Sequence, residues 1–139
     1  MARTTFSGPV VSQNGFIQGH QPTAANAINV TGTASAAQVA DGYITSTSAS
    51  PVTITLPTGT DLGAAIGATR GTVLDLFIDN TAGASAVTVA VNTNAVLSSA
   101  AVDTAGSFGD LTIAAGATGI ARFTLMFSSA TAYTFTRTA

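Results

Sequence analysis

The chain has 139 residues and a mass of 13.7 kDa, enough for one domain with a substantial core but not for two domains and a linker. Only 7% of its residues are charged, with no Lys or Glu, against roughly 25% in ordinary soluble domains, so a structural subunit that hides surface in an assembly is the expected class. The net charge of −2 with no basic run argues against nucleic acid, the absence of Cys removes disulfides and thiolate metal sites, and no apolar run reaches the roughly 20 residues of a membrane span.

The N-terminus, MARTTFSGPVV, has one Arg and then polar and turn residues, unlike the continuous apolar stretch of a secretory signal. From Phe6 to Gly32 the large apolar residues Phe6, Val10, Val11, Phe16 and Ile17 fall at neither helical nor strand spacing, between Gly8, Pro9, Gly15, Gly19 and Pro22. Such a stretch cannot bury these side chains within itself. Residues 1–39 therefore read as an extended arm that docks on another surface, with Pro9 and the glycines shaping its path, and residues 40–139 as the folded domain.

In the domain, YITSTS at residues 43–48 opens a β-rich texture, and PVTITLP alternates Val52, Ile54 and Leu56 against Thr53 and Thr55 between two prolines. The segment TDLGAAIGATRG allows a short helix capped by Thr60 or Asp61 and running to Ile66. Its glycines at 59, 63, 67 and 71 have the spacing of close helix packing in membranes, but Asp61, Arg70 and the short length refute a membrane helix. A turn-rich connection is the expectation there, on glycine's weak helix propensity.

The strand TVLDLFID places Leu74, Leu76 and Ile78 on one side and Val73, Asp75, Phe77 and Asp79 on the other. NTAGAS then turns the chain into AVTVAVN, with Val87, Val89 and Val91 together, so the two strands are expected to be a hairpin or neighbours. One short strand and a loop are expected over residues 93–110, and a short strand at LTI, 111–113. GIARFTLMF sets Ala121, Phe123, Leu125 and Phe127 against Ile120, Arg122, Thr124 and Met126, and SSAT turns it into AYTFTR, where Tyr133 and Phe135 share a face. Six to eight short strands with Gly, Ala and Ser turns predict an all-β fold, an antiparallel β-sandwich or jelly roll, carrying the extended N-terminal arm.

Catalytic chemistry has little to build on. The one histidine, His20, sits in the irregular arm beside Gly19 and Gln21, without a partner for acid–base work or the further ligands of a zinc site. Asp75 and Asp79 share a strand face about Phe77 at roughly 13 Å, wider than the paired carboxylates of glycosidases. They are expected to decorate a solvent- or subunit-facing surface with Arg122 nearby, which makes Asp75, Phe77, Asp79 and Arg122 candidate interface residues. Asp103 and Asp110 do not complete a calcium loop, Asn29-Val30-Thr31 matches a glycosylation acceptor without a secretory context, and no phosphate-binding lysine exists. A non-enzyme with no catalytic residue, cofactor or metal is the expectation.

The opening ARTTFSGPVVSQNGFIQG resembles the N-termini of small virion proteins of tailed bacteriophages, and PVTITLPTGTDLG, TVLDLFIDNTAGASAVTVAVN, LTIAAGATGIARFTLMF and AYTFTR are similar to the domains of phage head decoration, or cement, proteins. The resemblance implies a homotrimer on the outer surface of the virion capsid that clamps neighbouring major capsid protein subunits. It departs where many relatives continue into G-D-V-T-G repeats and this chain reads GHQPTAANAINVTG. Taken with the residue-level reading, Phe6, Pro9, Val10, Val11, Phe16 and Ile17 form the capsid-binding arm, meeting the shell or a sister subunit. The alternative is a tail-fibre or receptor- or carbohydrate-binding β-sandwich module, which exposed aromatic platforms would favour; the chain has no Trp.

Overall fold

A computed structural model of the protein describes residues 26–98 and 111–139. Among these residues nine strands and two helices follow in the order β1 (Gly32–Thr33), α1 (Ala36–Ala40), β2 (Tyr43–Thr45), β3 (Val52–Thr55), α2 (Gly59–Ile66), β4 (Val73–Asp79), β5 (Val87–Ala90), β6 (Ala95–Leu97), β7 (Thr112–Ile113), β8 (Ile120–Ser129) and β9 (Ala132–Arg137). They build a four-stranded sheet in the order β1-β3-β5-β7 and a five-stranded sheet in the order β2-β4-β8-β9-β6.

Successive strands alternate between the two sheets up to β8, and only β8 and β9 are consecutive in one sheet. The chain leaves a sheet after each of these strands and returns one strand later, and three of the pairs so made run parallel, β1 with β3, β3 with β5 and β2 with β4, while β5 with β7 runs antiparallel, as β4 does with β8. A parallel pair requires such a crossover, whereas an antiparallel pair can close through a short turn. Both sheets are therefore mixed, and the expectation of a purely antiparallel fold is corrected. The expected pairing of residues 73–79 with 87–90 is also corrected, since β4 and β5 lie in different sheets.

Alternation of side chains decides which face of each strand is covered. Val52, Ile54 and Leu56, Val87 and Val89, and Ile113 are buried from the first sheet. Ile44, Leu76, Ile78, Ala121, Phe123, Leu125, Phe127, Tyr133 and Phe135 are buried from the second, all within one continuous core. Phe123 meets Phe135 edge-on at 6.3 Å between ring centroids, and Phe127 meets Tyr133 at 5.2 Å, so the β8–β9 hairpin carries the largest side chains of the core. Val91 is exposed, past the end of β5.

The glycine-rich segment folds as the helix α2 and not as a turn-rich connection, capped by Thr58, two or three residues before the expected Thr60 or Asp61. Thr58 Oγ1 accepts from the Asp61 N–H at 3.1 Å, and Gly67 ends the helix at φ +62° with its N–H on the Gly63 carbonyl. A Cβ at Gly59 would meet the carbonyl oxygens of Thr131 and Asn94, and one at Gly63 would overlap the carbonyl oxygen of Ala130. The four-residue spacing thus serves close backbone approach after all, between a helix and the β8–β9 turn, with Leu62 buried beside it.

Residues 26–39, grouped in sequence with the arm, are knitted into this body. The Ile28 N–H donates to the Thr45 carbonyl at 2.9 Å and the Thr45 N–H to the Asn26 carbonyl at 3.1 Å, β1 lies beside β3, and Ala34 and Val39 are buried. Helix α1 is held by a capping box, in which the Gln38 N–H donates to Ser35 Oγ and the Ser35 N–H to Gln38 Oε1.

Candidate interaction face

The outward side of the five-stranded sheet combines charge, aromatics and exposed apolar groups. Register defines rows across it. Tyr43 of β2 lies opposite Phe77 of β4, which lies opposite Arg122 of β8, and one step along β4, Asp75 lies opposite Thr124, which lies opposite Thr136 of β9.

Arg122 Nη2 donates to Asp75 Oδ2 at 2.6 Å, Thr124 Oγ1 donates to Asp75 Oδ1 at 2.7 Å, and the guanidinium lies 5.8 Å from the centroid of the Phe77 ring. The hydrogen bond from Arg122, joined by that from Thr124, holds the Asp75 carboxyl below its ordinary range against the opposing effect of burial. Asp79 accepts from the Thr81 hydroxyl at 2.6 Å, the Thr81 N–H at 2.9 Å and the Tyr43 hydroxyl at 2.6 Å. The Thr81 and Tyr43 bonds lower the Asp79 carboxyl, and the bond to Asp79, with burial, raises the Tyr43 phenol.

The four candidate interface residues lie on one face: Asp75, Phe77 and Asp79 project from β4, Arg122 reaches Asp75 and Phe77 from β8, and Asp79 bonds instead to Tyr43 and Thr81. Tyr43 was not foreseen as a member, because only the parallel pairing of β2 with β4 sets it next to Phe77. The placement of Phe6, Pro9, Val10, Val11, Phe16 and Ile17, as of His20, Asp103 and Asp110, lies outside the described residues.

Apolar groups complete the face. Among the described residues seven large hydrophobic side chains are exposed, and five of them, Val73, Phe77, Val96, Ile120 and Met126, project from this side of β4, β8 and β6. Val73 lies opposite Met126, Met126 opposite Thr134, and Thr134 opposite Val96, so one row across four strands is apolar except for a threonine. The alternation within β8 marks Ile120 and Met126 as outward in the sequence itself; their alignment with Val73 and Val96 is a matter of register between strands distant in the chain.

Elsewhere, the buried polar residue Asn80 works as an internal clip. Its Nδ2 donates to the carbonyls of Ser85 at 2.9 Å and Ala114 at 3.0 Å, tying the loop after β4 to the loop after β7. Among the described residues no three His, Asp or Glu side chains gather as metal ligands, and no helix is long and apolar enough to cross a membrane. No family model matches the sequence, and no curated protein or solved structure matches it.

Proposed function

We propose that this protein is a structural virion subunit, a decoration or cement protein that binds the outer surface of a tailed-phage head and bridges neighbouring major capsid protein subunits. The observation that carries the reading is the gathering of five exposed large apolar side chains on one sheet face of a chain in which only 7% of residues are charged. A lone surface hydrophobe is ordinary, but a contiguous patch of them is a mark of an interaction site. The two sheets, with their apolar sides in one core, are read as the layers of a β-sandwich that presents this face on one side, and Phe6, Pro9, Val10, Val11, Phe16 and Ile17 are read as a second, adhesive element.

The mechanism is adhesion through many weak contacts. Burying one Phe, Val or Ile of the arm contributes about 1.5–3 kcal/mol, and several engaged together offset the ordering of the chain. A capsid-bound copy is held further by its neighbours through effective concentration. The alternative, a glycan-binding module, draws on Phe77 and Tyr43 with two carboxylates at the same face, but the Arg122 guanidinium lies over the Phe77 ring that a sugar would stack on.

The test is incubation of the purified protein with expanded heads that lack it, followed by sedimentation and copy counting. Hundreds of copies per head are expected, and deletion of residues 1–20 is expected to leave a folded domain that no longer cosediments. A few copies at the tail, or none, overturns the decoration reading, and full binding by the truncated chain removes the arm from the mechanism.

A further inference from the structure

We infer that the fold binds an internal water molecule between Ser46 Oγ and Asn80 Oδ1, at the place where the chain crosses from the five-stranded sheet to the four-stranded one. The inference goes beyond the shell-binding reading and shares no premise with it.

Two crossovers run side by side here. β2 and β4 pair in parallel as far as Thr45 and Asp79, and β3 and β5 pair in parallel from Val52 and Val87 onwards. Between these paired positions the chain takes seven residue steps on one path and eight on the other. The extra residue is absorbed in the turn that the Gly83 N–H closes on the Asn80 carbonyl at 3.0 Å. Before that turn the Ser46 N–H donates to the Asp79 carbonyl at 2.8 Å, and after it the Ala84 N–H donates to the Ser48 carbonyl at 3.0 Å. An extra residue on one side of a ladder interrupts its bonding locally.

Ser46 and Asn80 stand at this interruption. They follow the last paired positions and continue the inward alternation of Ile44 and Ile78, so both side chains enter the core. Among the described residues, theirs are the two buried side-chain polar atoms without a hydrogen-bond partner, Ser46 Oγ and Asn80 Oδ1, in residues 1% and 0% exposed. Turning the amide round does not help, because Nδ2 donates to the Ser85 and Ala114 carbonyls and an oxygen in its place would face them. Main-chain donors close by in sequence are engaged elsewhere. The Thr47 N–H goes to Asn29 Oδ1 at 2.7 Å and the Thr81 N–H to Asp79 Oδ1 at 2.9 Å.

A buried polar atom left unpaired is costly, and here two such atoms belong to neighbouring residues on adjacent strands. One molecule serves both if it accepts from the serine hydroxyl and donates to the amide oxygen. Water does this, and internal waters join buried groups of this kind in globular proteins. The nearby carboxylate of Asp79 is turned towards Tyr43 and Thr81, so the site offers no charge to balance a metal ion.

The test is a high-resolution crystal structure of the full chain, with magnetic relaxation dispersion of the solvent to register long-lived internal water. The expected result is a density peak about 2.6–3.0 Å from both Ser46 Oγ and Asn80 Oδ1. Ser46→Ala is expected to lose the peak, reduce the dispersion and lower the urea midpoint. Thr47→Ala, at the adjacent exposed position, is expected to leave peak and dispersion unchanged. No peak, a direct bond between the two side chains, a serine hydroxyl bonded to a main-chain carbonyl instead, or a peak unchanged in Ser46→Ala overturns the inference.

Discussion

Substituting Gly63 by alanine asks which of two opposed effects governs helix α2. Helix propensity alone favours the change by about 1 kcal/mol, because alanine has far less backbone entropy to lose. Against it stands the Ala130 carbonyl oxygen of the β8–β9 turn, which the new Cβ would overlap. That atom is backbone and cannot rotate away, so helix and turn must part by about an ångström. Such overpacking costs about 1–3 kcal/mol, and Leu62, buried in the same turn of the helix, loses part of its packing as well. The net expectation is a loss of about 1–2 kcal/mol, a fall of roughly 3–8 °C in Tm for a domain of this size. Thermal and urea unfolding followed by far-ultraviolet circular dichroism reads it directly. Ala64→Gly, on the exposed side of the helix, is the control and is expected to lose only about 0.5–1 kcal/mol. A Gly63→Ala protein that melts at or above the parent would show that propensity wins and refute the close-approach account.

Two further predictions concern the polar groups. Asn80→Ala removes a buried side chain that donates to the part-buried Ser85 and Ala114 carbonyls, a loss of about 1–3 kcal/mol in all, so a lower urea midpoint is expected, and an unchanged midpoint would deny the clip its role. Asp75 and Asp79 have folded-state pKa values below the ordinary 3.9, so both bind protons less readily when folded. Their contribution is fully present above about pH 5 and is lost as the pH falls through 4 towards the folded values. The urea midpoint is expected to drop between pH 5 and pH 2.5, and to drop less in the Asp75→Asn, Asp79→Asn double variant; equal drops would place the acid sensitivity elsewhere.

Alternation along the chain already separates covered from outward residues within the main strands. The period of two in PVTITLP, TVLDLFID and GIARFTLMF marks Val52, Ile54, Leu76, Ile78, Phe123 and Leu125 as covered, and the structure buries all of them. The β8–β9 hairpin is equally legible, because its two strands are joined by a short turn and register follows from local geometry. The same period marks Asp75, Phe77 and Asp79 as outward on one strand and Arg122 on another.

Pairing partners were decided only by tertiary structure. An alternating strand carries the same pattern whether its neighbour runs parallel or antiparallel, so nothing local shows that the chain passes from sheet to sheet after nearly every strand. That winding makes the sheets mixed, separates β4 from β5 and sets Tyr43 beside Phe77. The role of Gly59 and Gly63 was hidden for the same reason: glycine in sequence reads as conformational freedom, and only the arrival of the β8–β9 turn, some 70 residues later in the chain, turns the missing Cβ into a contact. Side-chain alternation is a property of one strand, whereas register and close approach belong to pairs of segments, and pairs far apart in the chain meet only in the folded molecule.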